Sequence, residues 1–214
     1  MLRNRFILNS WQWLLIIFLQ LCNAEEKNEL WNAISFEKKL PYSLKLGLEQ
    51  NLRFIDQSPR FKQTFTEVYL SYQIINDLVI MMPLRYAIFN DKTKQRVSFA
   101  GSYKYDLKPI SLKYRLKYQR VFEDETFSDD AIRSKISLRY RLNKRIRPFI
   151  AGETFFNEKL NKYKLNEYRL SLGVKVDLSK NKSINIFCIR KIEDLDKSTP
   201  ENTNVFGFGY NLEI

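Results

Sequence analysis

From residue 31 to the end of the chain, apolar and polar positions alternate with a period of two, in segments of roughly ten residues. Ile110, Leu112, Tyr114, Leu116 and Tyr118 share one parity; Ser111, Lys113, Arg115, Lys117 and Gln119 share the other. Strand side chains point to opposite faces in turn, so this segment predicts a strand with one apolar wall and one cationic wall. The same pattern recurs elsewhere. Ile136, Leu138, Tyr140 and Leu142 oppose Lys135, Arg139 and Arg141, and Tyr168 to Leu178 sets Leu170, Leu172, Val174 and Val176 against Arg169, Ser171, Lys175 and Asp177. Leu44, Leu46 and Leu48 oppose Lys45, Glu49 and Arg53; Val68, Leu70 and Tyr72 oppose Glu67, Tyr69 and Ser71; Val97, Phe99 and Tyr103 oppose Ser98, Ser102 and Lys104.

Eleven strand segments can be marked, at roughly 31–40, 43–54, 64–76, 78–89, 96–106, 110–122, 132–142, 147–156, 166–178, 183–193 and 204–213. Tight turns are expected at 41–42, 76–77, 108–109, 143–145 and 179–182, and longer polar loops at 55–63, 90–95, 123–131, 157–165 and 194–203. Short turns on one rim and long loops on the other is the arrangement of up-and-down outer-membrane barrels. Bacterial barrels of this kind have an even strand number, which places both chain ends on the short-turn, periplasmic side. Ten strands from Ser43 to Ile214 meet both conditions, leaving 31–40 as an extra inner or edge piece, or as one of twelve. The fold class expected is all-β: an antiparallel up-and-down transmembrane barrel of about ten to twelve strands, filling residues 25–214.

Composition narrows the setting. The basic start M-L-R-N-R, the apolar run Trp11 to Cys22 and the C-N-A junction ending at Ala24 have the parts of a cleaved signal peptide over 1–24. That run is shorter than the about 20 apolar residues a spanning helix needs. The whole chain has 36 Lys and Arg against 24 Asp and Glu; without Arg3 and Arg5 the remainder keeps 34 against 24, a net +10. The charge is spread along the chain, and secretion argues against a nucleic-acid partner. After the leader only Cys188 remains, so neither an intramolecular disulfide nor a cysteine metal cluster is expected. The chain has no histidine. Serine–histidine lipase or deacylase chemistry and histidine metal sites are therefore excluded, because each needs an imidazole. No catalytic residue, cofactor or metal is assigned, and an enzyme is not expected.

A soluble, lipocalin-like periplasmic binding barrel would use the same alternation with the apolar face turned inward. Three features favour the membrane. Aromatic residues lie near predicted strand ends (Trp31, Phe54, Phe61, Phe65, Phe89, Phe122, Phe127, Phe155, Phe156, Phe206), as in interfacial girdles. The strand number exceeds eight, the size whose interior fills itself. The chain ends on Phe206, Phe208, Tyr210, Leu212 and Ile214 in alternation, which resembles the C-terminal strand by which outer-membrane barrels are recognised by the barrel-assembly machinery.

The stretches W-N-A-I-S-F-E-K-K-L, L-G-L-E-Q-N-L-R-F, P-F-I-A-G-E-T-F-F-N and N-E-Y-R-L-S-L-G resemble the uncharacterised outer-membrane barrel family known as domain-of-unknown-function family 2490. The matching residues are an opening Trp31, then Glu49 and Arg53 together on one strand, Glu153 on another and Arg169 near the start of a third; Gln95-Arg96 stands where a His-Arg pair would be sought. The resemblance implies a fold and an outer-membrane location, and no activity.

In that fold the polar parity lines the lumen. Glu49, Arg53, Glu67, Arg85, Lys113, Arg115, Arg139, Arg141, Glu153 and Arg169 are the charges expected there, on a barrel embedded in outer-membrane lipid. Buried charges must be paired or hydrated. The favoured expectation is a filled basic lumen in a structural or interaction barrel, because ten strands leave little bore. The alternative is a small anion-selective channel, or a barrel that binds an anionic solute or lipid, with surplus cations along its path.

Overall fold

The computed structural model describes residues 27–55, 60–124, 126–159 and 162–214. The expected signal peptide over 1–24 lies outside the described residues. Eleven strands follow one another: β1 (Lys27–Lys39), β2 (Leu44–Ile55), β3 (Arg60–Ile75), β4 (Leu78–Phe89), β5 (Thr93–Leu107), β6 (Ile110–Glu123), β7 (Thr126–Tyr140), β8 (Ile146–Lys159), β9 (Lys162–Asp177), β10 (Lys182–Glu193) and β11 (Glu201–Glu213). Each pairs with its neighbour in sequence, and β11 returns to β1 to close the barrel. Closure leaves no sheet edge, which is what a bilayer requires of a β-structure.

The segment beginning at Trp31 is a full wall strand, and this corrects the parity expected from ten strands. Consecutive antiparallel strands alternate direction, so an odd number forces the closing pair to run parallel. The β1–β11 ladder does so, from Lys27 beside Thr203 to Glu37 beside Glu213. β1 qualifies for the wall because its own alternation is sound: Leu30, Ile34 and Phe36 face out, while Glu29 and Ser35 are buried inside. Ion pairs hold both ends of the seam, Lys27 to Glu201 at 2.8 Å and Lys39 to Glu213 at 2.7 Å. Lys27 and Ile214 therefore sit on opposite rims. We call the rim bearing Ile214 the lower rim and the rim bearing Lys27 the upper one.

Most of the polar segments read as long loops are strand. Residues 60–63, 93–95, 126–131, 162–165 and 201–203 belong to the paired strands. Backbone groups bond across a hairpin whatever their side chains do, so a ladder continues past the bilayer as polar hairpins. Strands of 12 to 16 residues exceed the about 9–11 that a tilted transmembrane strand needs. Bulges at Arg53/Phe54, Val121/Phe122 and Phe155/Phe156 mark the upper rim, where the added twist lets the hairpins leave the wall.

The orientation of the two faces decides the environment. Leu46, Leu70, Phe99, Leu116 and Ile136 all stand 43–55 % exposed on the outside, in a band that continues around the barrel. An apolar surface of that extent is far larger than a soluble monomer tolerates. The inside is polar, with one small apolar cluster of Trp31, Ile189 and Val205 behind the seam. The soluble alternative, which needs the opposite arrangement, is overturned. The bulk of the apolar burial is supplied by lipid.

Three inward glycines shape the wall. Gly47, Gly173 and Gly207 lie directly opposite Tyr69, Phe149 and Phe187 on the neighbouring strands. A Cβ at each would stand 2.0 to 2.6 Å from that ring. The rings lie flat over the glycines and leave the centre of the barrel free.

Candidate functional site

The side chains enclose a cavity of about 700 Å³ along the lumen. The filled interior expected from the sequence is thus replaced by an open one, because eleven strands and flat-lying rings leave room at the axis. The cavity is lined by eleven lysines and arginines against five carboxylates. Of the ten lumen charges named from the sequence, Glu49, Arg53, Arg85, Lys113, Arg115, Arg139, Glu153 and Arg169 line it. Glu67 faces inward and is buried behind Arg85. Arg141 does not reach the lumen; it follows β7 in an exposed lower-rim turn, where its backbone N–H donates to Pro109.

Aromatic rings are built into this wall, which corrects their assignment to an outer girdle. Trp31, Phe65 and Phe155 are buried inside, and Phe89 lines the cavity. Each of the first three lies between two guanidinium groups. Arg85 and Arg53 lie 3.7 and 5.0 Å from the Phe65 centroid. Arg53 and Arg169 lie 3.6 and 5.5 Å from that of Trp31, and Arg169 and Arg133 lie 4.4 and 4.2 Å from that of Phe155. The result is an alternating series of four cations and three rings, running from β4 through β1 to β7. Ring faces attract cations most strongly away from water, so the series holds like charges close together without neutralising them.

Carboxylates fix part of the array. Glu153 is the hub: Arg115 and Arg133 approach it at 2.8 Å and Lys135 at 3.8 Å. Glu67 takes Arg85 at 2.7 Å, and Arg169 bonds to Glu167. Glu29 accepts from Lys62 at 2.6 Å, Trp31 Nε1 at 2.7 Å and Lys191 at 3.1 Å. Arg53 bonds only to Asn51 among the described residues, at 3.1 Å. Arg96 has a buried Nε without a hydrogen bond, as does Arg115. The lumen is therefore half rigid scaffold and half unmatched cation. Among the described residues no cluster of acidic or cysteine side chains could hold a metal ion.

The family model for "Protein of unknown function (DUF2490)" matches residues 28–202. The chain belongs to that family. No curated protein matches this DUF2490 chain. Several solved structures are similar to it, two porins among them. One is the NanC porin in a rhombohedral crystal form, with a TM-score of 0.51 and 10 % identity over 79 % of this chain and 85 % of that one. The other is the KdgM porin in complex with disordered oligogalacturonate, with a TM-score of 0.50 and 16 % identity over 77 % of this chain and 88 % of that one. At such identities the likeness is one of fold. With the apolar outer band it makes this DUF2490 chain an outer-membrane β-barrel.

The sequence missed several members of the site. Arg96 opens the segment marked at 96–106 and lies on the parity of Ser98 and Ser102, so it was legible, but it is not among the named lumen charges. Glu29 stands before the first marked strand. Glu167 and Lys191 lie inside the segments marked at 166–178 and 183–193 but are not among the named lumen charges, although Glu167 shares the parity of Arg169.

Proposed function

We propose that the barrel is a passage for anionic solutes across the outer membrane. The observation that carries this reading is the lining, eleven basic side chains against five acidic ones around an open cavity. In a narrow, low-dielectric lumen such a surplus raises the local concentration of anions and excludes cations. The ion pairs at Glu153, Glu67 and Glu167 keep the wall rigid, so the remaining cations stay in place without closing the bore. The KdgM porin structure contains an acidic oligosaccharide, which accords with an anionic cargo in a barrel of this shape.

Reversal potentials in a salt gradient across a planar bilayer test the proposal. Selectivity for chloride over potassium is expected, and Arg115→Glu with Arg139→Glu should abolish or invert it. Absence of conductance, or selectivity unmoved by the two substitutions, would overturn it.

A further inference from the structure

The surplus charge is not distributed around the lumen. Strands β5, β6 and β7 turn seven basic side chains toward the cavity, and Asp129 at the upper end of β7 is their only carboxylate there among the described residues. The other eight strands contribute Arg53, Arg85, Arg169 and Lys175, matched in number by Glu49, Glu153, Glu167 and Glu193. Counted by the strands that carry them, the charges make the β5–β7 wall strongly cationic, with Glu153 of β8 reaching across to three of its seven cations.

The cationic wall is also long. It starts near the lower rim with Lys113 and Arg139, passes Arg115 and Lys135 as direct cross-strand partners, and continues past Arg133 to Arg96. Lys94, its last cation, is paired in register with Glu123, ten residues along β6 from Lys113. That is roughly 34 Å of strand at about 3.4 Å per residue, with inward positions about 7 Å apart. Like charges directly opposite one another in a sheet cost stability, and only part of the row is offset: Glu153 of β8 takes Arg115, Arg133 and Lys135, and Glu123 takes Lys94. Arg96, Lys113 and Arg139 form no ion pair among the described residues. The buried, unused Nε donors of Arg96 and Arg115 lie on the same wall.

Accepting that the barrel passes anions, we infer that its cargo is a linear polyanion, carried extended along the β5–β7 wall, rather than a single small anion. A small ion needs one ring of charge, whereas a chain bearing an acidic group on each unit can occupy successive rungs together. Binding is then multivalent, and each rung adds to retention without any one being tight.

The test is single-channel recording with the full mature barrel extracted from membranes. The probes are linear polyphosphate of about ten or more units and orthophosphate at equal total phosphate. Polyphosphate should produce discrete blockades and orthophosphate none. Lys113→Gln and Arg139→Gln should each shorten the blockades several-fold, and Arg96→Gln, near the other end of the wall, should do the same. The exposed Lys164→Gln should leave them unchanged. Only variants that retain the heat-dependent gel mobility of a folded barrel are compared. Blockades of equal length in all three lumen variants, equal block by orthophosphate, or no block in a channel that is anion-selective would overturn the polyanion inference while leaving the anion passage standing. Loss of anion selectivity itself would remove both.

Discussion

The Arg53 guanidinium lies 3.6 Å from the centroid of Trp31, its direct cross-strand partner on β1. The indole N–H is bonded to Glu29 at 2.7 Å, so this ring is held at its edge by an anion and on its face by a cation. Both contacts are made inside the lumen, beside the parallel seam. The ring therefore links the closure of the barrel to the arginine array.

Trp31→Ala should be among the most damaging single changes in the lumen. It removes a buried ring, costing about 3–5 kcal/mol, and releases Arg53 and Arg169 from a common support. Trp31→Phe keeps the ring face but loses the bond to Glu29, a smaller cost of about 1 kcal/mol. Thermal unfolding in detergent should rank the proteins wild type, Phe, Ala. Outside residues 1–24 Trp31 is the only tryptophan in the sequence, so in a barrel lacking those residues its emission reports directly on the seam.

Gly207 faces Phe187 so closely that a Cβ would stand 2.1 Å from the ring. Gly207→Val should force that ring off the wall and into the cavity. Such overpacking costs about 1–3 kcal/mol or more, and here it acts beside the closing strand. The expected outcome is a reduced yield of folded, heat-modifiable barrel and a smaller conductance from what does fold. Gly152→Ala, with open space around its Cβ, should change neither.

The outward apolar parity was legible because every wall strand must show it to lipid, and that requirement is written in each strand separately. Closure was not. Whether ten or eleven strands join depends on how β1 meets β11, a contact across almost the whole chain that no local pattern encodes. Parity alone puts Arg53, Arg115 and Arg169 inside, where they line the cavity, but it also put Arg141 there, beyond the end of β7. Phe65 and Phe155 defeated the reading because an aromatic residue near a strand end suits a girdle and a cation platform equally. Only the positions of Arg85 and Arg133 on neighbouring strands decide between them.

The parallel seam predicts the sidedness of the chain. With Ile214 on the periplasmic rim, Lys27 must lie on the cell-surface rim, next to the β10–β11 connection. In a Cys188→Ser background, Lys27→Cys should react with a membrane-impermeant maleimide on intact cells, and Glu213→Cys only after the outer membrane is opened. A ten-stranded barrel with both ends inside would leave both sites unlabelled.

On the upper rim, Lys92 and Lys94 bond to Glu123 at 2.8 and 2.7 Å. Those bonds, Lys92 first, hold the Glu123 carboxyl down at about 2 from an ordinary 4.5. A depressed carboxyl contributes stability above its unfolded value and loses it as pH falls toward the folded one. Glu123→Gln should therefore lower the unfolding midpoint at pH 6, and the gap from wild type should close between about pH 4.5 and 2. A gap independent of pH over that range would show that the ion pairs contribute nothing there.

Glu153 separates the structural from the conductive role of the lumen charges. It is the common partner of Arg115, Arg133 and Lys135, and it is buried. Glu153→Gln leaves three cations facing a neutral amide. Breaking a buried ion pair in this way costs about 3–5 kcal/mol in a dry site and less where water reaches the cations. The same change adds one uncompensated positive charge to the lining. Stability should fall while anion selectivity rises, two effects of opposite sign from one substitution. If the lumen charges served only to brace the wall, Glu153→Gln would lower stability and leave the reversal potential where it was. Arg115→Gln provides the converse. It relieves crowding at Glu153, so stability should change little, and selectivity should fall.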